Sequence, residues 1–168
     1  KGATLAEMTG LGLPVPPGMT LTTEVCAHYY TYGHTYPPEL SQQVRTGLRR
    51  IEKIIGRRFG SATNPILLSI RSGGRVSMPG MMDTVLNLGV NDKAVEGLIK
   101  QSGSPRFAYD CYRRFVQMYG DVVLGLKPES KADRDPFEQI IEKKKAAKGI
   151  ELDTQLIAED LHDLVTAF

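Results

Sequence analysis

Proline and glycine set the first constraint on how this chain folds. Its 17 Gly and 10 Pro gather in two places, from Gly10 to Gly18 and from Gly73 to Gly80. Proline fixes φ, lacks an N–H and pushes the residue before it out of helical space. Leu13-Pro-Val-Pro-Pro-Gly18 is therefore predicted to run extended into Met19–Thr22. The second gathering interrupts the chain between two apolar runs, which predicts a loop between strands.

Helical patterns fill the rest. Thr4 to Glu7 has the capping-box form and predicts a short helix ending near Gly10 or Gly12. Thr22 or Thr23 caps a second helix through Tyr30, and the Tyr-rich residues 29 to 36 form a loop closed by Pro37. Pro38 suits the first turn of a third helix, in which Leu40, Val44, Leu48, Ile51 and Ile55 follow at helical spacing until Gly60 stops it. Pro65 to Arg71 is short, apolar and bounded by turn signals, as a strand buried on both faces would be. Val85 to Leu88 is a second strand. Further helices are predicted over Lys93 to Ser102, along the stripe Phe107, Cys111, Phe115, Met118 and Val122, from Asp135 to Gly149, and from Ala158 to Phe168. The expected class is α+β, a small sheet with helices packed around it, and no internal repeat is evident.

At 168 residues the chain supports one domain comfortably, and two only if both are small. Hydrophobic residues at 41% and charged residues at 24% supply a core and argue against a disordered tail. Lys+Arg 21 against Asp+Glu 19 leaves a formal charge of +2, so no global field marks a nucleic-acid or membrane binder. Apolar stretches such as Ile66 to Ile70 fall far short of a membrane span. Cys26 and Cys111 form no CxxC and signal neither zinc nor a disulfide framework, which fits a reducing interior. The chain opens on Lys1 without a charged-then-apolar leader, so a cut start is expected rather than a targeting peptide. His28, His34 and His162 lack metal spacing. Arg49, Arg50, Lys53, Arg57 and Arg58 on the third helix, and Lys143 to Lys145, read as solvated faces; the rival reading is a nucleic-acid-binding module using Arg45 to Arg58 and Lys143 to Lys148.

The chemistry concentrates between Ser69 and Thr84. Gly73, Gly74 and Gly80 let backbone N–H groups approach a polyanion closely. Arg71 and Arg75 suit bidentate binding of phosphate oxygens, and Ser72, Ser77 and Thr84 add hydroxyls. The loop is not a Walker A sequence, because GxxxxGK[ST] is absent. The plain alternative is a surface hairpin whose glycines serve turns. Met78, Met81 and Met82 are apolar for such a loop, and either pack against a flat heteroaromatic ring or plug the core. Lys1, just ahead of a helix, is a second anion candidate.

Several blocks together resemble the start of the pyruvate, phosphate dikinase family. They are Lys1-Gly-Ala-Thr-Leu-Ala-Glu-Met8, Gly12-Leu-Pro-Val-Pro-Pro-Gly18, Thr22-Thr-Glu24, Arg71-Ser-Gly-Gly-Arg-Val-Ser-Met-Pro-Gly-Met-Met-Asp-Thr84 and Arg106-Phe-Ala-Tyr-Asp-Cys-Tyr-Arg-Arg-Phe115. The resemblance implies that residues 1–168 are the N-terminal part of an ATP-grasp nucleotide-binding domain, without its second half, the phosphohistidine domain or the pyruvate-binding barrel. It implies ATP and phosphate as ligands, with magnesium ligands outside this stretch. It also implies a swivelling phosphohistidine domain as partner, a homodimer of the full-length protein, and a cytoplasmic or, in a plant, plastid location. Neither nucleic acid nor membrane is an expected partner. By the same resemblance Lys1 matches a nucleotide-binding lysine and Arg71 a phosphate-contacting arginine with a catalytic role. Gly80, Met81, Met82, Asp83 and Thr84 match a loop that closes over the ATP phosphates, with Ser72 and Arg75 beside it. Arg114 matches an arginine placed towards the phosphate or the incoming histidine domain.

Overall fold

The computed structural model describes residues 1–73, 83–126, 128 and 134–168. The chain divides into two compact units, residues 1–57 and residues 58–72 with 83–168.

The first unit holds α1 (Gly2–Gly10), α2 (Thr23–Thr31) and α3 (Leu40–Ile55). Helix α1 begins ahead of the expected Thr4, because the Lys1 carbonyl already accepts from the Leu5 N–H at 3.0 Å. Thr4 therefore lies inside the first turn, where a capping box cannot operate, since the capping residue must be non-helical. The glycine stop holds: Gly12 takes φ +78° and its N–H reaches the Thr9 carbonyl at 3.0 Å. Thr22 occupies the N-cap of α2, yet its hydroxyl donates to Glu24 Oε2 at 3.2 Å and caps no backbone N–H. Because α2 continues to Thr31, the tyrosine-rich loop starts at Tyr32 rather than Tyr29. Helix α3 ends at Gly56 and not at Gly60. Gly56 adopts a left-handed φ of +73° at no steric cost, which frees Arg58–Phe59 to become a strand. Among the described residues of this unit, Ile51 alone is buried, at 4% exposure.

The second unit begins with β1 (Arg58–Phe59), which pairs in parallel with β2 (Pro65–Ile66). After Leu67 the chain enters β3 (Leu68–Arg71), which pairs antiparallel with β4 (Thr84–Leu88). The single strand expected over Pro65–Arg71 is thus two strands in two small sheets. Burial on both faces holds only for Pro65 and Ile66, and Ser69, Ile70 and Arg71 are exposed. The pairs Leu68↔Leu88 and Ile70↔Val85 leave one extra residue on β4, a β-bulge. Asn87 sits in it at φ +59°, a conformation that asparagine tolerates better than most side chains. Its Nδ2 donates to the Cys111 carbonyl at 3.1 Å and ties the bulge to a helix.

That helix is α5 (Pro105–Val122), flanked by α4 (Ala94–Ser102), α6 (Pro136–Lys148) and α7 (Ala158–Ala167). Their ends follow local chemistry. Ser104 Oγ accepts from the Phe107 N–H at 3.2 Å, and Asp135 Oδ1 accepts from the Phe137 N–H at 2.8 Å, each with proline at the first helical position. Gly103 and Gly149 close α4 and α6 in the left-handed region. Val90, Val95, Leu98, Ala108 and Cys111 form one apolar cluster, and Ile141, Leu156, Leu161 and Leu164 form another. Tyr109 packs against both and joins them. The expected stripe on α5 holds at Cys111, which is buried, and at Phe115, which packs half-buried against the first cluster; Ala108 and Gly120 are buried besides, whereas Phe107 is exposed. Gly120 is small because the Phe137 ring occupies the place a Cβ would need.

Candidate functional site

The antiparallel pairing brings Arg71 opposite Thr84 and sets Ser72 beside Asp83. The Ser72 N–H and hydroxyl both donate to the Asp83 carbonyl, at 3.1 and 2.7 Å, and close the mouth of the hairpin. Arg71, Ser72 and Asp83 are exposed there and Thr84 is half-buried. Among the described residues, none pairs with the Arg71 guanidinium, so its planar fork faces solvent and is open to an oxyanion. Asp83 closes the hairpin through its backbone carbonyl. Arg75, Gly80, Met81 and Met82, with Gly74, Ser77 and Met78, lie outside the described residues. Lys1 belongs to the first unit, where it is exposed and forms the N-cap of α1.

Arg114 lies on α5, the helix that packs along β4 and holds the bulge through Cys111. Sequence reasoning singled it out but missed the groups that fix it. Asp110 receives Arg113 Nη2 and Nε on Oδ1 at 2.8 and 3.2 Å, and Arg114 Nε on Oδ2 at 2.9 Å. Arg113 is 4% exposed, and its Nη1 donates to Gln117 Oε1 at 3.0 Å. Gln117 in turn donates to Glu138 Oε1 at 3.0 Å. The signal was available as an acid followed at i+3 and i+4 by arginines, the spacing at which helical side chains meet.

The neighbouring groups bear on which chemistry is open. Burial, and then the Asp110 carboxylate, push the Cys111 thiol above its ordinary value, against a smaller opposing effect of Arg114. At neutral pH this keeps Cys111 a protonated core group rather than a nucleophile. Burial and the hydrogen bond to Asp92 Oδ1 at 2.8 Å push the Tyr112 hydroxyl up to about 12, so it serves as a donor that pins α5 to the segment after β4. His162 is exposed on α7 and meets the Tyr109 ring edge-on at 5.2 Å. Among the described residues, no three His, Cys, Asp or Glu side chains come together as metal ligands, and no helix is long and apolar enough to cross a membrane.

The two basic runs part company. Arg45, Arg49, Arg50, Lys53 and Arg57 are exposed, and no described residue forms an ion pair with any of them. The run on α6 is not a plain solvated face. Lys144 reaches Asp163 at 2.6 Å, Lys145 reaches Glu142 at 2.7 Å and Asp153 at 3.1 Å, and Lys148 reaches Asp160 at 2.6 Å. The Asp163 hydrogen bond holds the Lys144 ammonium above its usual range, and the Glu142 and Asp153 hydrogen bonds do the same for Lys145. These cations staple α6 to α7 and to the short turn at Asp153–Gln155. Lys143 is left exposed.

No family model matches the chain. Over all 168 residues it is 52% identical to the pyruvate, phosphate dikinase of Rhizobium meliloti (strain 1021) and 50% identical to that of Clostridium symbiosum. It is 51% identical over the same length to the chloroplastic pyruvate, phosphate dikinase of Mesembryanthemum crystallinum. The chain spans 17–18% of the length of these relatives. The resemblance carried by the separate motifs thus holds along the whole chain.

Proposed function

We propose that this chain is the N-terminal subdomain of the ATP-grasp fold in a pyruvate, phosphate dikinase, and that it binds the phosphates of ATP. On this reading the whole enzyme converts ATP, phosphate and pyruvate to AMP, pyrophosphate and phosphoenolpyruvate through a phosphohistidine on a swivelling domain. Its full-length form is a homodimer in the cytoplasm, or in the plastid in a plant. Identity of 50–52% over all 168 residues supports the family, and one observation supports the role: Arg71 stands exposed, with no ion-pair partner among the described residues, at the mouth of a hairpin closed by Ser72 and Asp83.

Phosphoryl transfer needs positioning and charge neutralisation more than a set of acids and bases. Arg71 supplies a bidentate fork for phosphate oxygens, and Thr84 opposite it supplies a hydroxyl. The Ser72 hydroxyl proton is committed to the Asp83 carbonyl, so Ser72 acts by holding the hairpin closed. By the family resemblance, Lys1, Arg75, Gly80, Met81, Met82 and Arg114 are further candidates for contact with the phosphates. By the same resemblance the magnesium ligands lie outside this stretch.

In the intact enzyme, Arg71→Ala is expected to depress ATP-dependent pyrophosphate release far more than pyruvate binding. The lost contact is worth about 1.5–3 kcal/mol, the range for hydrogen bonds to charged groups. Equal release by variant and parent would sink the reading.

A further inference from the structure

We propose that Asp110, braced by Arg113, is a positioning residue that holds the Arg114 guanidinium as an end-on receptor for a phosphoryl or pyrophosphoryl group. The choice of ligand rests on the function proposed above; the geometry stands apart from it. Asp110 binds two guanidiniums with one carboxylate, so the three side chains keep a net positive charge. That charge is not shared evenly in space. Arg113 is buried and has its Nε, Nη1 and Nη2 all engaged, by Asp110 and Gln117. The Arg114 side chain is 60% exposed, and only its Nε is held, by Asp110. Its two terminal nitrogens have no partner among the described residues and point their fork away from the anchored edge. A fork tethered at Nε can still bind two oxygens end-on through Nη1 and Nη2. It does so with the side chain already ordered, which removes part of the entropic cost of binding.

The sign of one substitution separates this role from simple electrostatics. Removing a carboxylate beside an anion site should tighten anion binding if Asp110 acts only through its charge. If Asp110 positions Arg114, removal should weaken binding. The test is an NMR titration of the chain with pyrophosphate, read at the arginine Nε–Hε signals. In the parent, the Arg114 signal is expected to shift saturably at millimolar pyrophosphate. Asp110→Asn is expected to weaken that binding ~3–10-fold, the effect of releasing one long side chain. In an Arg114→Ala background, Asp110→Asn should change nothing further. Unchanged or tighter binding by Asp110→Asn, or an Arg114 signal that pyrophosphate does not move, overturns the proposal. Should Asp110→Asn lose its dispersed spectrum, Arg114→Lys decides. It keeps the charge but has no Nε to tether, so a loss of similar size supports the proposal and parental affinity overturns it. Movement of the Arg71 signal without Arg114 sinks this inference and leaves the proposed function standing, whereas movement of neither counts against both.

Discussion

The two units use the same amino-acid types for different ends. In the first, among the described residues, the cations of α3 form no ion pair and Ile51 alone is buried. In the second, Arg106 reaches the Leu156 carbonyl at 2.8 Å, Arg113 is buried on Asp110, and Lys144, Lys145 and Lys148 are stapled to acids. Its apolar side chains form two clusters joined by Tyr109. A basic run therefore carries no meaning until its partners are known. The charge count of either run is similar, and only the second run is part of the architecture. Of the two runs weighed for nucleic-acid binding, Lys144, Lys145 and Lys148 of the second are engaged by acids.

The contrast is sharpest in the cores. Leu161→Ala, at a side chain 1% exposed, is expected to cost about 2–5 kcal/mol in a denaturant titration, from lost burial and the cavity left behind. Leu5→Ala, 43% exposed on α1, should fall within about 0.5 kcal/mol of the parent. Comparable losses at the two positions would erase the distinction between the units.

Glycines offer a second pairing. A Cβ on Gly97 would lie 2.9 Å from the backbone of Ala62 and 2.6 Å from Pro65 Cδ, and backbone cannot step aside as a flexible side chain does. Gly97→Ala should cost about 1–3 kcal/mol through overpacking. Gly10, with nothing near its missing Cβ, should accept alanine with a gain of up to about 1 kcal/mol. Thermal unfolding of both variants reads the difference directly, and a destabilised Gly10→Ala would show that α1 is more tightly confined than its surroundings imply.

The ion pairs give the smallest separation and a pH signature. Burial alone would push the Asp160 carboxyl up, but the Lys148 bond, the Ile157 N–H and the nearby Lys144 charge outweigh it and hold the carboxyl below its usual value. A depressed folded-state value means stability that is fully present above the unfolded carboxylate pKa, about 3.9, and lost as pH falls through the folded value. Asp160→Ala should cost about 1.5–3 kcal/mol at neutral pH, the range for bonds to a charged group. The gap from the parent should close as both are taken below about pH 4. Arg49→Ala, on the solvated run, should stay within about 0.5 kcal/mol at either pH. A gap at Asp160 that persists in acid would mean that the residue acts through packing instead.

Much of the helical framework was legible because local chemistry decides it. Ser104 and Asp135 cap where a proline follows, and Gly103 and Gly149 stop helices where a left-handed residue is wanted. The misread ends have non-local causes. Gly56 rather than Gly60 ends α3 because Arg58–Phe59 pairs with a strand six residues later, and pairing leaves no periodic trace in two residues. The stripe on α5 holds at Cys111 and Phe115, but Phe107 is exposed, and close packing adds Ala108 and Gly120, small residues that carry no periodic apolar signal. At the site, Arg71, Ser72, Asp83 and Thr84 were readable as one loop, and the hairpin does assemble them. The Asp110 cluster was overlooked because an acid beside arginines resembles any surface ion pair until one partner proves buried.

The bulge at Asn87 has a consequence for how this hairpin tolerates change. The pairing frame of β3 and β4 is set at the end far from the mouth, by a left-handed asparagine bonded to Cys111. A single residue gained between Thr84 and Asn87 would turn Arg71 to the opposite face, because alternation along a strand has a period of two. The three-residue stretch from Thr84 to Leu86 therefore cannot change in length without turning Arg71 over.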